Sequence, residues 1–157
     1  MRERRIGWAW VVAQFALLAV LLFLPWQPHP VYFMSLGGLT AVAGGLLALS
    51  VSRTLGDAFT ATPVPRTGAH LSRGGPYRYI RHPMYAGLLL IILGLLIAAG
   101  SPIAWVWGGV LAVFFWLKSR WEDRALQRAY GAQWQAWADR TGAFIPRRRA
   151  GIRGGDD

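Results

Sequence analysis

The chain is 157 residues long and 54% hydrophobic, and it carries 17 Lys+Arg against 7 Asp+Glu. That length leaves room for one domain, and a mean hydropathy of +0.32 is too apolar for a typical soluble chain, so apolar bulk and basic charge must be segregated. The absence of cysteine excludes disulfides, thiolate metal sites and cysteine nucleophiles. Because the arginines flank apolar runs, the net charge of +10 points to membrane topology and anionic headgroups rather than to nucleic acid.

In chain order, Arg2, Arg4 and Arg5 precede the uncharged run 6–26, which is long enough to cross a bilayer core of about 30 Å. A signal peptide begins in the same way, but no small-residue cleavage site precedes Pro25. The turn Gln27-Pro28-His29-Pro30 leads into a second span, 31–52, in which Gly37, Gly38, Gly44 and Gly45 are expected to face another helix. Residues 53–83 read as a cytoplasmic loop, extended around Pro63 and Pro65. A connection of that length is expected to be ordered over the bundle through Phe59, Val64, Leu71 and Tyr77.

Span three covers 84–100, Ser101-Pro102 makes a tight turn, and span four covers 103–117. In the segment 118–146, Leu126, Tyr130, Trp134 and Trp137 share one helical stripe, with Gly131 expected to bend the helix as it covers the bundle at the interface. Residues 147–157 form a basic tail, expected to be disordered and drawn to acidic lipid. Every Lys, Arg, Asp and Glu falls in the N-terminus, the 53–83 loop or the segment after span four. The expected fold class is therefore all-α, an integral membrane helical bundle of four transmembrane helices plus a C-terminal interfacial segment. It forms one domain over 1–146 with both termini cytoplasmic.

A polar cluster where a chain enters lipid is costly unless it is buried in protein or faces a cavity. Tyr77, Arg81, His82 and Tyr85 stand ahead of span three, and Arg120, Glu122 and Asp123 stand just after span four. The tight hairpin brings the two sets together. An ion-pair network that only pins helix ends is one reading of them. A pocket, part apolar and part charged, is the other, with Pro83 opening a helix behind His82 and Gly87 allowing a ligand or a second helix to approach closely.

The stretch Gly75-Pro76-Tyr77-Arg78-Tyr79-Ile80-Arg81-His82-Pro83-Met84-Tyr85-Ala86-Gly87, followed by Glu122-Asp123, Tyr130-Gly131 and Phe144-Ile145-Pro146, resembles the isoprenylcysteine carboxyl methyltransferase family. Its Arg-His-Pro-x-Tyr-x-Gly element is shared with phospholipid N-methyltransferases. The resemblance spans roughly residues 55–146 and implies a membrane methyltransferase that binds S-adenosylmethionine on the cytoplasmic side and takes a lipophilic methyl acceptor from the bilayer. It places Tyr77, Arg81, His82, Pro83, Tyr85, Gly87, Glu122 and Asp123 at the cofactor, with Glu122 and Arg140 as the candidate catalytic residues. Asp123 stands where the family has a second Glu. No metal is implied. A carboxylate or thiolate acceptor needs no general base, whereas an amine could lose a proton to Glu122 or His82. An NADPH-dependent membrane sterol or enone reductase and a non-catalytic membrane accessory protein are the alternatives.

Overall fold

Proline and glycine set most of the helix boundaries. In the computed structural model, which describes residues 2–28, 30–56 and 71–147, α1 (Arg2–Val20) tightens into a 3-10 turn at Leu21–Phe23 and stops where Leu24 turns extended ahead of Pro25. Helix α2 (Val31–Leu55) ends at Gly56, whose φ of 48° suits glycine. Helix α3 (Pro83–Ala99) begins with proline in its first turn and ends on the left-handed Gly100. Helix α4 (Pro102–Tyr130) also opens on proline, and Gly131, at φ 52°, separates it from the short α5 (Ala132–Ala138).

All named elements among the described residues are helical. Three helical stretches, Arg5–Phe23, Val31–Leu55 and Pro102–Tyr130, are long and apolar enough to cross a membrane. Helix α3 is apolar but has 17 residues, about 26 Å at 1.5 Å per residue. The expected end of span four at residue 117 is not a helix end: α4 runs unbroken for 29 residues, because Lys118 and Ser119 are buried and the chain meets no breaker before Gly131. His29, the loop residues 57–70 and the tail 148–157 lie outside the described residues.

Helices α2 and α3 pack backbone against backbone. Gly37 faces Gly94 and Gly44 faces Gly87, so the helices are antiparallel; a Cβ added at Gly44 would lie 2.5 Å from the Gly87 carbonyl oxygen. Gly38 and Gly45, expected on the same seam, have open space where a side chain would stand. Neighbours in a helix point about 100° apart, so only one glycine of each adjacent pair can meet α3. On its other side α3 joins α4 through Ile92, Leu96, Ala99, Ala104, Leu111 and Phe115, with Leu17, Leu18 and Leu21 of the first span packed against them. Large apolar side chains such as Val12, Leu39, Leu46 and Val106 point outward, as lipid-facing residues do.

At the polar end the aromatic stripe works as a cover. Trp134, Trp137 and Ala138 pack against Leu71, Tyr77, Leu126 and Tyr130, and the Trp137 indole N–H donates to the Tyr77 carbonyl at 3.1 Å. The chain then returns beside the entrance to α3, where Ile80 and Gly142 form a parallel bridge.

Candidate functional site

The motif ahead of α3 makes a 3-10 turn at Gly75–Arg78 and then leaves helical geometry before its proline. Pro83 disfavours helical geometry at His82, which sits at φ −119° and ψ 59°. The extended backbone pairs with the returning chain: the Arg81 N–H donates to the Gly142 carbonyl at 2.8 Å and the His82 N–H to the Ala143 carbonyl at 2.9 Å. Extended residues alternate in direction. Ile80 thus borders one side of this pair and Arg81 the other.

His82, 5% exposed, enters the bundle between two carboxylates of α4. Its Nε2 lies 2.9 Å from Asp123 Oδ1 and its Nδ1 3.4 Å from Glu122 Oε2. A ring with a carboxylate at each nitrogen is best satisfied as imidazolium, donating from both. Burial pushes the His82 pKa down, but the hydrogen bonds it donates to Asp123 and Glu122, together with their charges, outweigh it and hold the pKa up at about 9. Burial, assisted by the Glu122 charge, raises the Tyr77 phenol to about 12 and keeps it neutral.

Arg81 ties this cluster to the cover. Its Nη1 donates to the carbonyls of Ala138, at the end of α5, at 2.9 Å and Thr141 at 2.6 Å, while Nη2 lies 3.5 Å from Asp123 Oδ2. Its guanidinium carbon stands 5.9 Å from the Trp134 ring centroid. The Tyr85 ring stacks on His82 at 5.5 Å and is tilted against Phe115 at 5.4 Å.

Two cavities share the bridged segments around Ile80 and Gly142 as a wall. One, of about 470 Å³, is polar and bordered by Arg81, Gln127, Trp134, Gln135, Asp139 and Arg147 among others. The other, of about 900 Å³, is an apolar groove between α2, α3 and Phe144–Pro146, with the exposed Arg78 and Tyr79 on its rim. Three buried side-chain donors among the described residues have no hydrogen-bond partner: Ser101 Oγ lies in the turn between α3 and α4, and the other two, Arg81 Nε and Trp134 Nε1, stand at the site. Both residues border the polar cavity, and an orphaned buried donor is costly unless a ligand or water completes it.

Of the residues singled out from the sequence, Arg81, His82, Tyr85, Glu122 and Asp123 meet in one cluster, with Pro83 buried at the helix start and Tyr77 beside Glu122. Asp123, shorter than the family's Glu, makes the closest contact with His82. Gly87 is turned toward α2, where a Cβ would meet the Gly44 carbonyl oxygen at 2.9 Å; its close approach is to a helix. Arg120 lies outside the cluster, exposed over Trp116 at 5.7 Å, and Arg140 is exposed on the turn after α5.

Sequence reasoning passed over Gln14 and Lys118. Lys118 is 2% exposed, donates to Gln14 Oε1 of α1 and stands 5.1 Å from the Tyr85 ring centroid. The signal was present, since Gln14 is a polar residue alone in an apolar run and Lys118 follows another.

A family profile described as phospholipid methyltransferase matches residues 32–133. The Arabidopsis thaliana protein-S-isoprenylcysteine O-methyltransferase B is 25% identical over 141 residues, which cover 88% of this chain and 72% of that protein. A solved structure, the eukaryotic intramembrane Ras methyltransferase ICMT (isoprenylcysteine carboxyl methyltransferase), aligns with a TM-score of 0.69 and 20% identity over 92% of this chain. This chain spans 50% of that one, and the likeness is one of fold. These similarities favour methyl transfer over the reductase and accessory readings.

Proposed function

This chain belongs to the phospholipid methyltransferase family, and from that premise we propose that it is an S-adenosylmethionine-dependent enzyme methylating a lipophilic acceptor drawn from the bilayer. The observation that carries this reading is the pair of orphaned donors, Arg81 Nε and Trp134 Nε1, at a polar cavity separated from an apolar groove by the bridged segments around Ile80 and Gly142. The residues fit the cofactor. Its carboxylate, ribose hydroxyls and ring nitrogens are the acceptors that those donors lack.

When bound, S-adenosylmethionine supplies a methyl group activated by a positively charged sulfur. Arg81 and Trp134 would donate to its polar groups. His82 and Asp123 would hold Arg81 in place, and the faces of Tyr85 and Trp134 offer aromatic surface to a sulfonium. Tyr77 and Pro83 would close the wall, and Glu122 would hold further polar groups of the cofactor. Arg140 could meet a ligand carboxylate only from the solvent side. The protein's contribution is alignment and exclusion of water. Of the two candidate bases for an amine acceptor, His82 already carries both its protons, which leaves Glu122.

The apolar groove beside Ile80, Leu89, Leu90, Leu93 and Phe144 would receive the acceptor's hydrocarbon part. We read α3 as the fourth crossing, at the short end of the usual range of about 17–25 residues. With four crossings both termini and the site lie on the cytoplasmic face, where basic residues meet anionic headgroups. One domain over 1–146 and a basic tail complete the organisation.

Calorimetric titration of the purified protein in detergent, with S-adenosylmethionine and NADPH in parallel, tests this reading. Binding of S-adenosylmethionine alone is expected, and binding of NADPH alone would overturn it. A screen of acceptors in membranes with radiolabelled S-adenosylmethionine then identifies the product.

A further inference from the structure

Past its last apolar turn, α4 carries a ladder of arginines on the face that it shows to lipid. Val110, Val113 and Leu117 are exposed on one side of the helix, and Arg120, Arg124 and Arg128, all exposed, continue that side. With 3.6 residues per turn, these six positions fall within an arc of about 80°. The two acids of this helix point elsewhere, since Glu122 and Asp123 are engaged with His82 and Arg81. Among the described residues no carboxylate lies within 4.0 Å of Arg120 or Arg124. Like charges one turn apart on a helix repel, and the chain supplies these two with no counter-charge.

The surroundings of the ladder place it at headgroup level. Arg120 stands 5.7 Å over the ring of Trp116, an exposed indole of the kind that settles at the membrane interface. Helix α1 runs antiparallel to α4, with Trp10 against Phe114 at 5.3 Å and the Leu17 carbonyl accepting from Trp107 at 3.1 Å. It therefore brings the exposed Trp8 and Arg5 to the same end. Arg128 Nε donates to the Arg124 carbonyl at 3.1 Å, which lays that side chain back along the helix.

We propose that this face of α4 binds an anionic phospholipid of the surrounding leaflet, with its phosphate between Arg120 and Arg124 and its acyl chains along Val110, Val113 and Leu117. The two arginines are about 6 Å apart along the helix axis, within reach of one phosphate, and guanidinium forks match phosphate oxygens. A zwitterionic headgroup brings its own cation to the same arginines, so a lipid with net negative charge is preferred. No residue of α4 borders the apolar groove between α2 and α3, so this lipid is a bound partner distinct from the methyl acceptor. Its charge neutralises the outer side of the turns whose inner side presents Glu122 and Asp123 to His82. Binding therefore stabilises the folded protein.

The test follows thermal unfolding of the detergent-solubilised protein with dioleoylphosphatidylglycerol or dioleoylphosphatidylcholine, which share their acyl chains. Phosphatidylglycerol should raise the Tm of wild type by about 3 °C or more over phosphatidylcholine. The difference should fall by about half in Arg124→Gln and vanish when Arg120→Gln and Arg128→Gln are added, at exposed positions where glutamine keeps the helix. Arg53→Gln, which removes one exposed charge from the last turn of α2, should keep the full difference. The proposal is overturned if the triple variant keeps the difference. It is also overturned if Arg53→Gln loses as much as Arg124→Gln, the mark of bulk attraction to the whole basic end. Sodium tripolyphosphate, which has no acyl chains, should leave the wild-type Tm unchanged; a shift equal to that of phosphatidylglycerol would give the face to a soluble polyanion and overturn the lipid assignment. Should the triple variant not fold, the comparison of Arg124→Gln with Arg53→Gln decides alone.

Discussion

Helix α3 is held on one side by missing side chains and at its start by charge. Along α2, Gly87 and Gly94 meet Gly44 and Gly37 with no room for a Cβ, and the contact is van der Waals packing between backbones. At the N-terminal end, His82 is gripped between Asp123 and Glu122, and Arg81 is spread over two carbonyls and a carboxylate. The first contact has one way to fit and tolerates no addition. The second depends on opposite charges, and beside it two buried donors, Arg81 Nε and Trp134 Nε1, lack a partner. A helix fixed by its glycines can thus carry a polar site whose groups need not all be spent on holding the fold.

The largest expected effect breaks the first contact. Gly44→Leu drives a side chain into the Gly87 backbone and should prevent recovery of folded protein by size-exclusion chromatography, at a cost of about 3 kcal/mol or more. Gly45→Leu, one position on and facing open space, should behave as wild type. Equal behaviour of the two variants would mean that the seam does not hold α3.

The second effect breaks the charged contact without touching the seam. His82→Ala should lower S-adenosylmethionine affinity by about a hundredfold while the protein still inserts, since Asp123 and Glu122 are left without the cation between them. Asp123→Asn should cost more affinity than Glu122→Gln, because 2.9 Å separates Asp123 from His82 and 3.4 Å separates Glu122. The reverse order, read by calorimetry, would move the main carboxylate role to Glu122.

A smaller effect follows pH. The folded-state pKa of His82, about 9, lies above its ordinary value of 6.5, so its protonation stabilises the fold fully below pH 6.5. That contribution is lost as pH rises through 9. The thermal unfolding temperature of wild type should fall over this window, and His82→Gln should flatten the profile; an unchanged profile in that variant would assign the pH dependence elsewhere. Smallest is Trp134→Phe, which keeps the packing and removes the orphaned N–H. It should weaken S-adenosylmethionine binding about fivefold, the value of one hydrogen bond, and unchanged affinity would show that the cofactor does not reach that donor.

Much of the fold was legible because its signals are local. The apolar runs, the prolines that open α3 and α4, and the glycines at 100 and 131 act within a few residues of where they stand. The meeting of His82 with Glu122 and Asp123 was legible too, since a tight hairpin sets the start of one helix beside the end of the next. What misled were contacts between distant segments. A glycine pair does not say which member faces a partner, so Gly38 and Gly45 were expected on a seam they do not join. Lys118 read as the first residue beyond a span, while the structure buries it against Gln14, 104 residues away in sequence.

By itself the sequence determined the prolines that open α3 and α4, the segregation of charge from apolar spans and the pairing of an Arg-His-Pro element with an acid pair across a hairpin. Each depends on backbone geometry or on the cost of placing charge in lipid, which neighbouring residues decide. Only the tertiary structure decided that Asp123 is the nearer partner of His82, that Gly87 serves a helix contact, that Arg81 Nε and Trp134 Nε1 are left unpaired and that Lys118 is enclosed between Gln14 and Tyr85. These follow from how α1, α4 and the returning segment 141–146 settle around α3, and burial is a property of that whole arrangement.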